Sequence, residues 1–267
     1  MKLGILGCGK MGTAWVAGIV RSGAVKAADV IGVDAKAAAM EEFVQATGAA
    51  TASSLKQLGV CDVVLLCTKP QDVVPALREL GDAAIGSGGM LVISIAAGIT
   101  LETLEGCTPE KIRVIRAMPN TPALVGEGAA AYCCGSRATR EDADCAGMLL
   151  GKVGVALEVP ERLMDAVTGL SGSGPAYVYL MIEAMADGGV RCGLPRDQAL
   201  QLATQTVLGA ARMVKDTGEH PARLKDMVTS PGGTTIAGLA ELEERGVRSA
   251  LIEAVTAATQ RARELAG

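Results

Sequence analysis
The chain has 267 residues, enough for one large domain or two, and carries 25 basic against 29 acidic residues for a formal charge of −4. No block of basic residues with interleaved aromatics occurs in it, so nucleic acid is not an expected partner. Mean hydropathy is high at +0.34, but the most membrane-like stretch, Ala83 to Leu101, is interrupted by Gly86, Gly88, Gly89 and Gly98; it reads as loop, buried strand and loop, and no membrane span is expected.

The apolar run Leu3 to Leu6 predicts a first buried strand, and Thr13 to Val20 the helix behind it. Between them Gly7, Cys8, Gly9, Lys10, Met11 and Gly12 spell GxGxxG. In that position Gly7 permits a tight turn, Gly9 lets backbone approach a pyrophosphate and Gly12 lets the helix pack on the strand, so the helix N-terminus can meet an anion. Short apolar runs then recur at Val30 to Val33, Val63 to Leu66, Leu91 to Ile95 and Ile112 to Arg116, separated by helical pattern near residues 11 to 22, 35 to 47, 71 to 80 and 100 to 105. This βαβ alternation predicts an α/β fold built on a doubly wound parallel sheet. Further strands are expected at Ala129 to Cys133 and near Val153 to Glu158, with a helix through Asp142 to Leu150 between them.

Asp34 closes the second strand, 22 positions beyond Gly12, where an acid can accept hydrogen bonds from the adenosine ribose 2′-hydroxyl. Such an acid favours NAD, although Lys36 could swing across to neutralise a 2′-phosphate, which leaves NADH against NADPH open. The segments Cys67-Thr68-Lys69-Pro70-Gln71, Ile95-Ala96-Ala97-Gly98 and Met118-Pro119-Asn120-Thr121-Pro122 follow the third, fourth and fifth predicted strands. Parallel sheets bind ligands at that edge, small residues leave room for a flat ring, and Asn120 can offer both donor and acceptor to a carboxamide.

After Glu161 the pattern turns helical, with segments Pro175 to Asp187, Pro195 to Lys215, Pro221 to Val228, Thr235 to Glu244 and Arg248 to Leu265. The division expected is therefore 1–160 for dinucleotide binding and 161–267 for an all-helical second domain. Wide apolar faces such as Ala199, Leu200, Ala203, Val207 and Leu208 suit contact with a second subunit. Thr168 to Pro175 and Ser230-Pro231-Gly232-Gly233-Thr234-Thr235 each open a helix with glycines and hydroxyls, a composition able to cap the helix or grip a small carboxylate. The eight cysteines form no CxxC pairs and have no His-rich partner segment, so they are expected as reduced core residues, with no metal site. Seven residues before Cys8 are too few for a lipoprotein leader, and a cytoplasmic location is expected. The single histidine, His220, fits a turn leading into the helix begun by Pro221.

The motifs GCGKMG at the start, TKPQ at Thr68 to Gln71, SIAAG at Ser94 to Gly98, RAMPNTP at Arg116 to Pro122, DAVTGLSGSGPAY at Asp165 to Tyr177 and SPGGTTIAGLAELE at Ser230 to Glu243 resemble pyrroline-5-carboxylate reductases along the whole chain. The resemblance implies a Rossmann-like doubly wound sheet followed by an all-helical dimerisation domain, reduction of the substrate C=N bond by NADPH or NADH, and dimers assembled into decamers. It implies that Gly7 to Gly12 bind pyrophosphate, that Cys67, Thr68, Lys69, Pro70, Ala96 and Ala97 border the nicotinamide side, and that Asn120 lies near it. Thr168 would hydrogen-bond the substrate ring nitrogen, while Ser230, Gly233, Thr234 and Thr235 would take its carboxylate with Glu161 at the edge. Helical domains interleave in the family, so such a pocket can draw on two subunits. Ser54 stands where relatives often place Asn for the adenosine half, and Asp34 where many carry a polar or basic residue; both depart from an NADPH pattern. Two other readings of the two-domain plan are a β-hydroxyacid dehydrogenase using Lys215 or Lys225, and a nucleotide sensor that catalyses nothing.

Overall fold
The computed structural model describes residues 1–83 and 89–266. The part of the Ala83 to Leu101 stretch that covers residues 84–88 lies outside the described residues. Two compact units emerge, Met1–Gly172 together with Ala258–Gly267, and Ser173–Ala257.

The first unit is an eight-stranded sheet of β1 (Leu3–Leu6), β2 (Val30–Val33), β3 (Ala50–Thr51), β4 (Val63–Leu66), β5 (Met90–Ser94), β6 (Ile112–Met118), β7 (Gly128–Cys134) and β8 (Gly154–Glu158). Spatial order is β3-β2-β1-β4-β5-β6-β7-β8, so the strand order reverses beside β1, where doubly wound sheets open their ligand crevice. Because side chains alternate across a strand, Leu3, Ile5, Val63 and Leu65 enter one apolar core with Trp15, Ile19 and Phe43. Leu6, Val64 and Leu66 enter the opposite one with Leu77, Leu80 and Leu104.

The crossover helices are α1 (Lys10–Arg21), α2 (Ala37–Thr47), α3 (Pro70–Ala83), α4 (Leu101–Gly106) and α5 (Arg140–Leu150). Strands β1 to β6 are all parallel, as the alternation predicts, but β7 runs antiparallel to β6. The reason is the connection: Pro119 to Glu127 holds only a 3-10 turn at Thr121–Val125, too short to carry the chain back for a parallel crossover. β8 is parallel to β7 through α5. A short α6 (Met164–Val167) and a π-helical turn at Thr168–Gly172 close the sheet-bearing segment.

The second unit contains α7 (Gly174–Arg191), α8 (Arg196–Thr217), α9 (Pro221–Met227), α10 (Thr234–Glu244) and most of α11 (Val247–Ala266), and no strand among its described residues. Its own buried core is small: Ala186, Ala199 and Ala203, packed by Ile182 and Val190. Tyr179, Leu180 and Leu200 are exposed and line an apolar groove along α7 and α8. None of the described helices is long and apolar enough to cross a membrane.

Candidate active site
The glycine loop is shaped by contacts that exclude side chains. Gly7 sits at φ +103°, donates to the Val33 carbonyl at 2.8 Å, and a Cβ on it would lie 2.7 Å from the Cys67 carbonyl carbon. A Cβ on Gly12 would run into the Gly7 carbonyl oxygen and lie 2.9 Å from Ile5 Cδ1. Gly9 differs, since nothing stands within 4 Å of its would-be Cβ and its φ of −71° suits any residue. It is the N-cap of α1, where no side chain caps the helix and no acid occupies the first turn. First-turn amides with no side-chain acceptor, beside open space, are the chemistry an anion needs. Lys10 is exposed at the start of α1 and Met11 half-buried beneath it. Cys8 is buried, which pushes its thiol up to about 12, so it serves as packing and not as a nucleophile.

Asp34 lies at the end of β2 and clasps this loop. Its Oδ2 accepts from the Cys8 amide at 2.8 Å and its Oδ1 from the Lys36 amide at 2.8 Å. Ser54 caps the 3-10 turn at Leu55–Val60 by accepting from the Lys56 amide at 3.3 Å. At the end of β4, burial pushes the Cys67 thiol up, and Lys69 and Pro70 are exposed. The neighbouring Thr68 hydroxyl oxygen is buried and has no hydrogen-bond partner. Protein groups leave such a hydroxyl unsatisfied at a cost of about 1–3 kcal/mol, so a bound polar ligand is the natural partner.

The third group gathers around Glu161. Its Oε1 accepts from Arg116 Nη1 at 2.9 Å and from the Leu101 amide at 2.7 Å. The sequence motif contained Arg116, but its role was missed; two cations, Arg113 and Arg116, in the otherwise apolar run Ile112 to Met118 were the available signal, because such charges have to find partners, here Asp142 and Glu161. The clamp joins β6 to the start of α4; in the loop Ala96-Ala97-Gly98 that precedes α4, Ala96 is buried, Ala97 exposed and Gly98 at φ +76°. Asn120, 9% exposed, accepts from the Ala129 amide at 2.8 Å and donates to the Ser171 carbonyl at 3.0 Å. One donor and one acceptor expected for a ligand are thus spent holding the loop after β6 to the π turn. In that turn Thr168 Oγ1 donates to the Met164 carbonyl at 2.9 Å and Ser171 Oγ to the Val167 carbonyl at 3.0 Å. The segment is a single π turn, a feature frequent at functional sites, and not the capped helix start read from its composition. Committed as a donor, the Thr168 hydroxyl presents lone pairs, so toward a ligand it acts as an acceptor.

In the second unit, Ser230 to Thr235 lead into α10, whose N-cap is Gly233 with no side-chain cap, and Gly232 sits at φ +67°. The Ser230 hydroxyl occupies the space a side chain on Gly233 would need. Thr234 and Thr235 supply the first amides of this helix. His220 is the N-cap of α9, its Nδ1 accepting from the Ala222 amide at 3.2 Å, as its place before Pro221 suggested. Lys225 pairs with Asp226 at 3.5 Å.

Comparison with known proteins bears on the chemistry of these groups. Residues 161–265 match the family model for pyrroline-5-carboxylate reductase dimerisation, and residues 2–98 the model described as NADP oxidoreductase, coenzyme F420-dependent. Over 267 residues the chain is 48% identical to the pyrroline-5-carboxylate reductase of Synechocystis, covering 99% of this chain and 98% of that one. It belongs to the pyrroline-5-carboxylate reductase family. The Coxiella burnetii pyrroline-5-carboxylate reductase structure is 33% identical with a TM-score of 0.94, covering 100% of this chain and 98% of that chain. The Plasmodium falciparum pyrroline carboxylate reductase, solved with NADP bound, is 32% identical with a TM-score of 0.85 and the same coverage. As in that family, a Rossmann-like sheet precedes a helical dimerisation region, and the chain self-associates. A nicotinamide dinucleotide fits the groups described, since the uncapped α1, the open side of Gly9 and the orphaned Thr68 hydroxyl each lack what such a ligand offers.

Proposed function
We propose that this pyrroline-5-carboxylate reductase family member reduces 1-pyrroline-5-carboxylate to L-proline with NADPH or NADH, the last step of proline formation, by direct hydride transfer to the imine carbon. Support comes from the end-to-end likeness to reductases of that name together with an α1 N-terminus that no side chain caps. When bound, the dinucleotide supplies a hydride from its dihydronicotinamide C4.

The chain's own residues bind, orient and exclude. Gly7 and Cys8, whose amides go to Val33 and Asp34, set the turn, and the amides of Gly9, Lys10, Met11 and Gly12 at the start of α1 cradle the pyrophosphate, while Asp34 faces the adenosine ribose and Ser54 borders the adenosine half. Cys67, Thr68, Lys69, Pro70, Ala96 and Ala97 line the nicotinamide side, and the Thr68 hydroxyl gains a partner there. Asn120 fixes the turn that carries Thr168. The substrate nitrogen takes its proton from water before binding, and Thr168, already donating to Met164, accepts a hydrogen bond from that N–H⁺. Its hydroxyl thereby stabilises the protonated imine, the better hydride acceptor. Ser230, Gly233, Thr234 and Thr235 hold the carboxylate at the uncapped start of α10. Glu161 shapes the site through Arg116 and Leu101.

Residues 1–160 form the dinucleotide-binding domain in this reading, and 161–267 the substrate-binding and dimerisation domain. The α7–α8 groove seats a second copy, giving a dimer that assembles further into a decamer. A cytoplasmic location belongs to the same reading, and eight cysteines left as free thiols are compatible with it.

The test mixes the full chain with pyrroline-5-carboxylate and either reduced dinucleotide, following loss of dihydronicotinamide absorbance and formation of proline. Turnover is expected, with none when a 3-hydroxy acid and the oxidised dinucleotide replace them. Thr168→Ala is expected to lower kcat/KM by about 5- to 150-fold, the equivalent of about 1–3 kcal/mol for one lost hydrogen bond to a charged group. Full activity in that variant removes Thr168 from the mechanism, and tight dinucleotide binding with no proline formed removes the reductase reading.

A further inference from the structure
Asp34 is held more firmly than an acid at the end of a strand has to be. One oxygen is tied to the glycine loop through Cys8 and the other to the start of α2 through Lys36, both at 2.8 Å. Each oxygen keeps one further acceptor position. Among the described residues no ion pair engages this carboxylate, and the Lys36 side chain is exposed. We propose that Asp34 makes this chain an NADH-preferring reductase, accepting the adenosine ribose 2′-hydroxyl and repelling a 2′-phosphate.

This inference rests on the reductase reading and goes further by choosing the dinucleotide. A carboxylate with two spare acceptor positions matches hydroxyl donors, whereas a phosphate offers only oxygens, with a charge of about −1.5 to −2. Asp34 cannot turn aside to admit it without breaking both amide bonds, one of which helps to set the glycine loop. Lys36 contributes its amide to the arrangement, and its ammonium, on a flexible stem in water, offsets little of the repulsion. The Plasmodium falciparum relative, solved with NADP, shares the fold, so discrimination has to come from individual side chains at this edge and not from the architecture.

Calorimetric titration of the full chain with NADH and NADPH in turn reads the preference without turnover. NADH is expected to bind at least about tenfold more tightly, and Asp34→Ser to shift the ratio at least about tenfold toward NADPH through a gain in NADPH affinity. A gain of affinity cannot arise from misfolding. Equal or tighter binding of NADPH by the unmodified chain overturns the proposal, as does an unchanged ratio in Asp34→Ser. Lys36→Ala provides a second variant: an unchanged ratio supports Asp34, and collapse of NADPH affinity assigns the selectivity to Lys36 instead. The two readings fail separately, since tight NADPH binding with proline formation sinks only the assignment of Asp34. Tight NADH binding without proline formation sinks only the reductase.

Discussion

Gly12→Ala is expected to lower the melting temperature by about 6 to 12 °C, corresponding to about 3 kcal/mol in a chain of this size. The added methyl meets the Gly7 carbonyl oxygen and Ile5 Cδ1. The first is backbone, and the second belongs to a fully buried strand, so neither can move away cheaply. Relief requires α1 to lift from β1, which opens the core around Trp15 and Ile19. Dinucleotide affinity falls with it because the loop no longer closes. Gly9→Ala separates shape from stability. Its methyl meets nothing within 4 Å and its backbone is already in an ordinary region, so the stability cost is limited to the poorer N-cap, about 1 kcal/mol. The same methyl fills the space through which a pyrophosphate approaches the α1 amides, and Kd for NADH and NADPH is expected to rise by about 5- to 150-fold, from overpacking of about 1–3 kcal/mol. Thermal melts and calorimetric titration of the two variants check the pair. If Gly9→Ala binds both dinucleotides normally, the loop is a structural turn and the cofactor lies elsewhere.

The centre of the sheet was legible because β1, β4 and β5 are buried along their whole length and read as unbroken apolar runs. β1 and β2 match their predicted spans, and β4 does as well, while β5 to β8 shift by no more than two residues at either end. β3 left no trace in the sequence, since two residues, Ala50 and Thr51, carry no period. The direction of β7 was equally invisible. Alanine-rich strands suit either direction, and the choice was made by a connection whose prolines at 119 and 122 gave the turn but not its consequence. In the second unit α7, α8 and α9 were readable from Pro175, Pro195 and Pro221 at their starts, and α7, α8 and α10 from a glycine just past their ends. Gly218, for example, takes a left-handed conformation after α8.

Residues of the candidate site were legible in kind more than in detail. Asp34 could be located by its distance from the glycine loop, but not its grip on two amides. Hydroxyls at Thr168 and Ser171 suggested donors for an anion, and in the fold both donate to carbonyls one turn back. Asn120 suggested a free amide, and it is engaged at both ends. In each case the competing partner is backbone brought close by the fold, sometimes from far along the chain, which spacing in sequence does not report.

Glu161 illustrates the same limit with a larger consequence. Its expected place at the edge of the substrate site predicts that Glu161→Gln raises KM and leaves stability alone. The hydrogen bonds predict otherwise. Arg116 is 6% exposed and Glu161 Oε1 is the acceptor bonded to its guanidinium at 2.9 Å, while the same oxygen also takes the Leu101 amide at the start of α4. Neutralising Glu161 leaves a buried cation without its counter-charge, a change that costs about 3–5 kcal/mol when both partners are fully buried. Because the Glu161 side chain keeps 35% of its exposure, water recovers part of this, and a loss of about 2–3 kcal/mol is expected, lowering the melting temperature by about 4 to 12 °C. Replacing both partners by apolar residues, Arg116→Met with Glu161→Leu, is expected to recover most of the loss, because no charge is then stranded. kcat/KM is expected to fall in both the single and the double variant, since each weakens the tie that Glu161 makes between Arg116 in β6 and the start of α4. Thermal melts read beside steady-state kinetics distinguish the roles. A raised KM with an unchanged melting temperature in Glu161→Gln returns this carboxylate to the substrate, and a lowered melting temperature rescued by the double replacement makes it the residue that ties β6 to the start of α4.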